Sequence, residues 1–145
     1  MYAIITGASS GCGYEYARVM ASKGYDLLIV SNEEAIHDKA NLLRQDFSVK
    51  VVSLVQNLGT QTAAKELYDY CQDKGIEVEV LINNAGVYHD RDFLEDSEGF
   101  NQLIFNLHMH TPAMLMYYFA QDMVKRGKGY ILNMCSITAD IAVQR

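Results

Sequence analysis

The sequence predicts an α/β fold in which helices cover both faces of a parallel sheet. Three observations support this prediction: short apolar runs alternate with helical patterns, no hairpin signal separates the runs, and a glycine-rich segment directly follows the first run. Alternating strands and helices are connected by right-handed crossovers, which make the strands parallel. We expect one domain over residues 1–145, because 50% of the residues are hydrophobic and the chain contains a single proline.

Five apolar runs are predicted to be strands, and four helical segments fill the gaps. The predicted strands are Tyr2–Ile5, Asp26–Val30, Lys50–Val55, Val78–Ile82 and Gly129–Met134. The helical segment after Gly59 carries one apolar stripe, formed by Ala64, Leu67, Tyr68 and Cys71. Gly24 and Gly75 follow two of the helical patterns and are predicted to end those helices.

The segment from Glu98 to Lys125 is predicted to be one long helix that is apolar on almost every side. Its apolar residues are Leu103, Ile104, Leu107, Met114, Leu115, Tyr118, Phe119 and Met123. Such a helix must bury more than one face, and the sheet covers only one. We therefore expect a homo-oligomer that buries the second face of residues 98–125, or a further part of the protein that covers it.

A glycine-rich segment lies between the first predicted strand and a helical pattern that runs through Ala17 and Met20. It reads Thr6-Gly7-Ala8-Ser9-Ser10-Gly11-Cys12-Gly13. At such a junction the backbone can approach a pyrophosphate, and the N–H groups at the helix N-terminus point at the anion. The segment predicts a dinucleotide phosphate site, although an ordinary glycine-rich turn is the alternative. The predicted contacts are Gly7, Ser9, Ser10, Gly11, Cys12 and Gly13.

Two motifs resemble those of the classical short-chain dehydrogenase/reductase family. Thr6–Gly13 is similar to its T-G-x3-G-x-G segment, and Asn83–Gly86, which follows the fourth predicted strand, resembles its N-N-A-G segment. Asn106 and Ser136 stand where this family has its catalytic asparagine and serine. The resemblance implies a Rossmann-like doubly wound sheet with the strand order 3-2-1-4-5, here truncated after the fifth strand.

The resemblance also implies an NAD(P)-dependent oxidoreductase that interconverts a small-molecule carbonyl and an alcohol by hydride transfer. Ser136 would orient the substrate oxygen, and Asn106 would hold a water that links the family's lysine to solvent. The family's Tyr-x3-Lys pair would fall past Arg145, so we expect the chain as given to be inactive. Tyr70 and Lys74 have the same spacing, but they precede the fourth strand, whereas doubly wound folds place their chemistry at the carboxyl ends of strands.

Two alternatives to the enzyme hypothesis belong to other classes. The chain is either a catalytically inactive dinucleotide-binding module or an incomplete domain that is stable only in association with another chain. Missing strands and helices would leave apolar surface exposed, and such surface favours association.

The residues after the second predicted strand bear on the choice between NAD and NADP. An acidic residue there binds a ribose 2′-OH and an arginine accepts a 2′-phosphate, but this sequence has Ser31 and Asn32, so the choice stays open. Ser31 and Glu34 also fit a capping box that would start the next helix. Asn57 and Leu58 stand where the family contacts adenine, and the Asn57 amide oxygen would accept a hydrogen bond from it. The predicted site is completed by Asn84, Ala85 and Gly86.

Composition and charge exclude several other classes of protein. The net charge is −6 without a dense basic run, so we expect no nucleic-acid partner. No apolar run reaches the roughly 20 residues of a membrane span, and no signal peptide is recognisable, so we expect a cytoplasmic protein without a membrane partner. Cys12, Cys71 and Cys135 are expected to be reduced, mostly buried thiols. We expect no metal site, because His108 and His110 do not share a helix face.

Overall fold

The fold is a five-stranded parallel sheet with helices on both faces. The computed structural model describes residues 1–88 and 93–136, and the strand order is 3-2-1-4-5, as the resemblance implies. The strands are β1 (Tyr2–Thr6), β2 (Asp26–Ser31), β3 (Val51–Val55), β4 (Val78–Asn83) and β5 (Tyr130–Asn133). Each bound lies within one residue of its prediction.

The helices alternate with the strands, and a short 3-10 turn precedes the fourth of them. They are α1 (Gly11–Ser22), α2 (Ile36–Asp46), α3 (Ala63–Asp73), α4 (Glu98–Phe105) and α5 (Thr111–Arg126). α1 and α2 pack on one face of the sheet, and α3 and α5 pack on the other. Gly24 and Gly75 follow α1 and α3 with φ angles of 83° and 62°, which confirms that they end these helices. Within the described ranges, no helix combines the length and apolar sequence that a membrane span requires.

β1 lies at the centre of the sheet, where it pairs in parallel with β2 and β4. Ile4 stands opposite Leu28 on one side and Leu81 on the other. All three side chains are completely buried. Burial on both faces explains why these strands are continuous apolar runs in the sequence. Because the strands are parallel, the loops that follow β1 to β4 meet at one edge of the sheet.

The long helix predicted over residues 98–125 is interrupted in the middle. A π-helical turn, Asn106–His110, joins α4 to α5, and in it the Thr111 N–H donates to the Asn106 carbonyl, five residues back. Pro112 accounts for the interruption, because proline has no N–H and its ring would clash with the carbonyl four residues earlier in a regular α-helix. The prediction of one uninterrupted α-helix is therefore wrong.

Within residues 1–88 and 93–136, the apolar surface of α4 and α5 is covered on one side only. Leu115, Phe119 and Met123 are buried in the core that α5 shares with α3 and the sheet. We define the outer face as a set of large apolar side chains on this segment that are each more than half exposed. Its members are Phe105, Met109, Tyr117 and Val124. The sheet therefore leaves a second apolar side of this segment open, as predicted.

Two of the three cysteines are exposed, so the prediction of mostly buried thiols is wrong. Cys71 is buried in α3, and burial raises the pKa of its thiol to about 12. Cys12 and Cys135 are exposed, and all three thiols are free. Cys12 lies in the first turn of α1, and Cys135 follows β5 at the edge of the sheet.

Candidate active site

Thr6 and Asn84 lock together the loops that follow β1 and β4. Thr6 Oγ1 accepts hydrogen bonds from the backbone N–H groups of Asn84 and Ala85, at 2.9 and 3.0 Å. The Asn84 side-chain amide donates to the carbonyls of Thr6 and Gly7, at 3.0 and 3.2 Å. Thr6 is buried and the four hydrogen bonds are part-buried, so they satisfy backbone groups that are partly shielded from water.

The glycine loop is packed too closely to carry side chains at two positions. A Cβ atom on Gly13 would lie 2.1 Å from the Gly7 carbonyl oxygen, and one on Gly7 would lie 2.7 Å from Ala85 Cα. Gly11 has a positive φ of 53°, and a Cβ there would meet nothing within 4 Å. The backbone of the glycine loop therefore packs against the first residues of the loop that follows β4. The N-terminus of α1 stays accessible for an anion.

A cavity of about 400 Å³ lies between the loops that follow β1, β2, β3 and β4. Its volume is in the range of small-molecule sites. Twelve of the thirteen residues predicted to contact a dinucleotide line it, and Gly11 is the exception. The twelve are Gly7, Ser9, Ser10, Cys12, Gly13, Ser31, Asn32, Asn57, Leu58, Asn84, Ala85 and Gly86. The lining is completed by Glu33, Gln56, Val87, Leu103 and Leu107. We refer to this space as the dinucleotide cavity.

Ser31 does not form the predicted capping box with Glu34. Its Oγ accepts a hydrogen bond from the Glu33 N–H at 3.2 Å, and α2 begins only at Ile36. Glu34 instead faces His37 on the exposed surface, at 3.5 Å. The capping-box prediction is therefore wrong, because the chain makes a further turn before the helix. That turn places Ser31 and Glu33 on the dinucleotide cavity.

Two amide side chains lie at the end of β3. Asn57 Oδ1 accepts a hydrogen bond from the Gly59 N–H at 2.9 Å, and its second lone pair stays available for the predicted contact with adenine. Gln56 Nε2 donates to the Ala63 carbonyl at 3.0 Å. The buried Gln56 Oε1 has no hydrogen-bond partner within the described part of the chain. Asn57 Oδ1 is therefore the acceptor that this end of the cavity offers to an amino group.

A second cavity, of about 490 Å³, adjoins the first and is lined by Ser136. The lining shared by the two cavities consists of Leu58, Asn84, Ala85, Gly86 and Leu107. The remaining lining is largely apolar and includes Pro112, Leu115 and Met116 of α5. Because the cavities meet at the loop after β4, a ligand in the second can contact a ligand in the first.

Asn106 and Ser136, the two residues predicted to be catalytic, are not brought together in one cavity. Asn106 is buried, and its Nδ2 donates to the Gly59 carbonyl at 2.8 Å. Gln102 Nε2 donates to Asn106 Oδ1 at 3.2 Å. Asn106 lines neither of the two cavities, whereas Ser136 lines the second. Asn106 fixes the loop after β3, and its part in catalysis stays a prediction.

Sequence reasoning missed two residues that shape the site. Thr6 belongs to the glycine motif but was not among the predicted contacts, and it holds the loop after β4 in place. His108 Nε2 accepts a hydrogen bond from the Val87 N–H at 3.0 Å, which requires this nitrogen to be unprotonated. The chain just after Gly86 is thereby tied to the π-helical turn. No spacing in the sequence indicates either contact, since each joins distant segments.

Comparison with known proteins decides the family of this chain. The family model described as short chain dehydrogenase matches residues 1–145. The chain belongs to the short-chain dehydrogenase family. A very-long-chain 3-oxoacyl-CoA reductase of Phaeosphaeria nodorum is 32% identical over 143 residues, which cover 93% of this chain and 41% of that protein. The human inactive hydroxysteroid dehydrogenase-like protein 1 is 28% identical over 142 residues, which cover 93% and 42%.

Solved structures of other proteins share the fold of this chain. The bulky-bulky ketone specific alcohol dehydrogenase from Comamonas testosteroni has a TM-score of 0.90 at 27% identity, over 97% of this chain and 57% of the other. L-Sorbose reductase from Gluconobacter frateurii, complexed with NADPH and L-sorbose, has a TM-score of 0.87 at 26% identity, over 95% and 53%. The chain thus spans about half the length of the proteins that it matches.

Proposed function

We propose that the protein to which this chain belongs is an NAD(P)-dependent oxidoreductase that interconverts a small-molecule carbonyl and an alcohol. The observation that carries the proposal is the dinucleotide cavity, which collects twelve of the thirteen predicted contacts at the carboxyl ends of the strands. Membership of the short-chain dehydrogenase family supports it, as does the NADPH in L-sorbose reductase.

Different residues of the cavity would bind different parts of NAD or NADP. The start of α1, with the Ser9 and Ser10 hydroxyls, would hold the pyrophosphate. The amide oxygen of Asn57 would accept a hydrogen bond from the adenine amino group. When bound, the reduced nicotinamide would supply a hydride to the carbonyl carbon, and the carbonyl oxygen would take up a proton.

The second cavity is the proposed place of the substrate. Ser136 would donate a hydrogen bond to the substrate oxygen there, and the apolar lining would exclude water. The proton donor would be the tyrosine of the family's Tyr-x3-Lys pair, beyond Ser136.

The test of the proposed function is the loss of reduced nicotinamide absorbance when the full-length protein is mixed with ketones and 3-oxoacyl thioesters. Binding of neither NAD⁺ nor NADP⁺ to the folded protein would overturn the proposal.

A second candidate function is a catalytically inactive dinucleotide-binding module. The relation to the human inactive hydroxysteroid dehydrogenase-like protein 1 supports it, and Tyr70 and Lys74 have the Tyr-x3-Lys spacing but lie away from the site. These residues lie at the end of α3, just before β4 begins, whereas Ser136 follows the end of β5. They are therefore at the opposite edge of the sheet from the two cavities. This candidate predicts dinucleotide binding without turnover of any carbonyl by the full-length protein.

We propose that the outer face of α4 and α5 is covered by a second copy of the protein. Its four large side chains are each more than half exposed, and burying them against a second copy would remove apolar area from water. Light scattering after size exclusion should give at least the mass of a dimer, and a stable monomer would contradict the proposal. If the domain is stable only in association, dilution should also unfold it.

The cytoplasm is the proposed location, which three free thiols support.

A further inference from the structure

We infer that the dinucleotide cavity selects NAD(H), which has a free ribose 2′-hydroxyl, over NADP(H). The selecting element is the turn Ser31-Asn32-Glu33 that follows β2, all of whose residues line the cavity. The inference rests on the proposed function, because it presupposes that a nicotinamide dinucleotide occupies this cavity. It deepens that proposal by naming which of the two cofactors the protein uses.

The charges around the cavity disfavour a 2′-phosphate. Among the described residues that line it, Glu33 is the only one with a charged side chain, and that charge is negative. A phosphomonoester carries roughly 1.5 to 2 negative charges near neutral pH. Sites for NADP place an arginine near the 2′-phosphate, but the turn after β2 offers a hydroxyl, an amide and a carboxylate. Glu33 would therefore repel the group that distinguishes NADP from NAD.

The basic side chains of the helix that follows the turn are held by other contacts. Lys39 Nζ lies 4.9 Å from the centroid of the Tyr14 ring, in a groove beside the start of α1 that shares Ser10 and Cys12 with the dinucleotide cavity. His37 Nδ1 lies at hydrogen-bond distance, 2.8 Å, from Ser53 Oγ. Arg44 Nε donates to a backbone carbonyl of β3 at 3.1 Å. None of these three side chains of α2 lines the dinucleotide cavity, and binding a phosphate would require each to leave its present contact.

The same turn supplies the partners that a ribose hydroxyl needs. The buried Ser31 Oγ accepts a hydrogen bond from the Glu33 N–H at 3.2 Å, so its O–H remains able to donate. The Glu33 carboxylate can accept a hydrogen bond from the 2′-OH, as an acidic residue after the second strand does in NAD sites. Glu33 stands two residues after the end of β2.

Calorimetric titration of the full-length protein with NAD⁺ and with NADP⁺ tests the inference. We expect the dissociation constant for NAD⁺ to be lower than that for NADP⁺ by roughly tenfold or more, since one repulsive contact between charges at the surface of a cavity changes the affinity by about this factor. Two separate variants, Asn32→Arg and the isosteric Glu33→Gln, should each lower the ratio of the dissociation constant for NADP⁺ to that for NAD⁺. Glu34→Gln is the matched control, because Glu34 does not line the cavity, and it should leave the ratio unchanged.

The outcomes separate this inference from the proposed function. Equal or tighter binding of NADP⁺ would overturn the selection of NAD(H) and leave the oxidoreductase proposal standing. A ratio that Glu33→Gln does not change would overturn the role of the carboxylate. Binding of neither dinucleotide to protein with a native circular dichroism spectrum would overturn the proposed function, and the selectivity with it.

Discussion

Asn84 donates two hydrogen bonds to Thr6, one from its backbone N–H to Oγ1 at 2.9 Å and one from its side-chain amide to the carbonyl at 3.0 Å. The two residues lie 78 positions apart in the sequence. They connect the ends of β1 and β4, which are neighbours in the sheet. The relative position of the glycine loop and the loop after β4 therefore depends on this contact.

Replacing Thr6 by valine should destabilise the protein by about 1–3 kcal/mol, because two backbone N–H groups would lose their acceptor inside the fold. Valine keeps the shape of threonine, so the effect reports the hydroxyl. Urea unfolding of Thr6→Val measures it. Thr60→Val, at an exposed loop position, should stay within about 0.5 kcal/mol of the original protein. Equal stability of the two variants would show that the Thr6 hydroxyl is dispensable.

The three thiols should react differently with a maleimide. Cys12 and Cys135 are exposed and should be labelled, whereas Cys71 is buried with the pKa of its thiol raised to about 12, and should be labelled only after unfolding. Saturating dinucleotide should slow the labelling of Cys12, which lines the dinucleotide cavity. Mass spectrometry of the digested protein follows each site. Unchanged labelling of Cys12 in the presence of bound dinucleotide would contradict its place in the site.

Glu79 should make the stability of the protein depend on pH. It is buried in β4 and lies 2.8 Å from Lys128 Nζ and 2.9 Å from Tyr25 Oη. The hydrogen bond with Lys128 holds the pKa of this carboxyl below its ordinary value. The contact therefore stabilises the fold above the unfolded pKa, and this stabilisation is lost as the pH falls through the lower, folded pKa.

Thermal unfolding of Glu79→Gln across pH 7 to about pH 3 checks this expectation. The variant should be less stable than the original protein near neutral pH, and the difference should shrink in acid. Glu77→Gln is the control, because the Glu77 side chain is more than half exposed, although it too pairs with a basic side chain, at 3.5 Å from Arg126 Nε. A constant difference over the whole pH range would mean that Glu79 acts through packing and not through its charge.

The sequence was sufficient to predict the strands, the glycine loop and the strand order that the resemblance implied. These features depend on local apolar runs and on motifs at strand ends, which a single sequence displays. The contacts of Glu79 could not be predicted, because Tyr25 and Lys128 come from segments that meet it only in the folded sheet. Pro112 is a local signal for the interruption of the long helix. Ser31 and Glu34 gave a false signal, since a capping pattern does not fix where a helix begins.

Ser10 offers the most direct test of the central claim, that the dinucleotide cavity binds a pyrophosphate at the start of α1. Ser10 is the N-cap of α1 and Ser97 is the N-cap of α4, both with extended backbone. Aspartate is an equally good N-cap and suits the helix dipole, so Ser10→Asp and Ser97→Asp should both fold with unchanged or slightly raised stability. Only the first places a carboxylate in the dinucleotide cavity.

The decisive measurement is the dissociation constant for NAD⁺ of these two variants of the full-length protein, determined by calorimetry. The structure predicts that Ser10→Asp weakens binding by roughly tenfold or more, through repulsion of the pyrophosphate, and that Ser97→Asp binds like the original protein. Equal affinities in the two folded variants would contradict the claim that the phosphates lie at the N-terminus of α1.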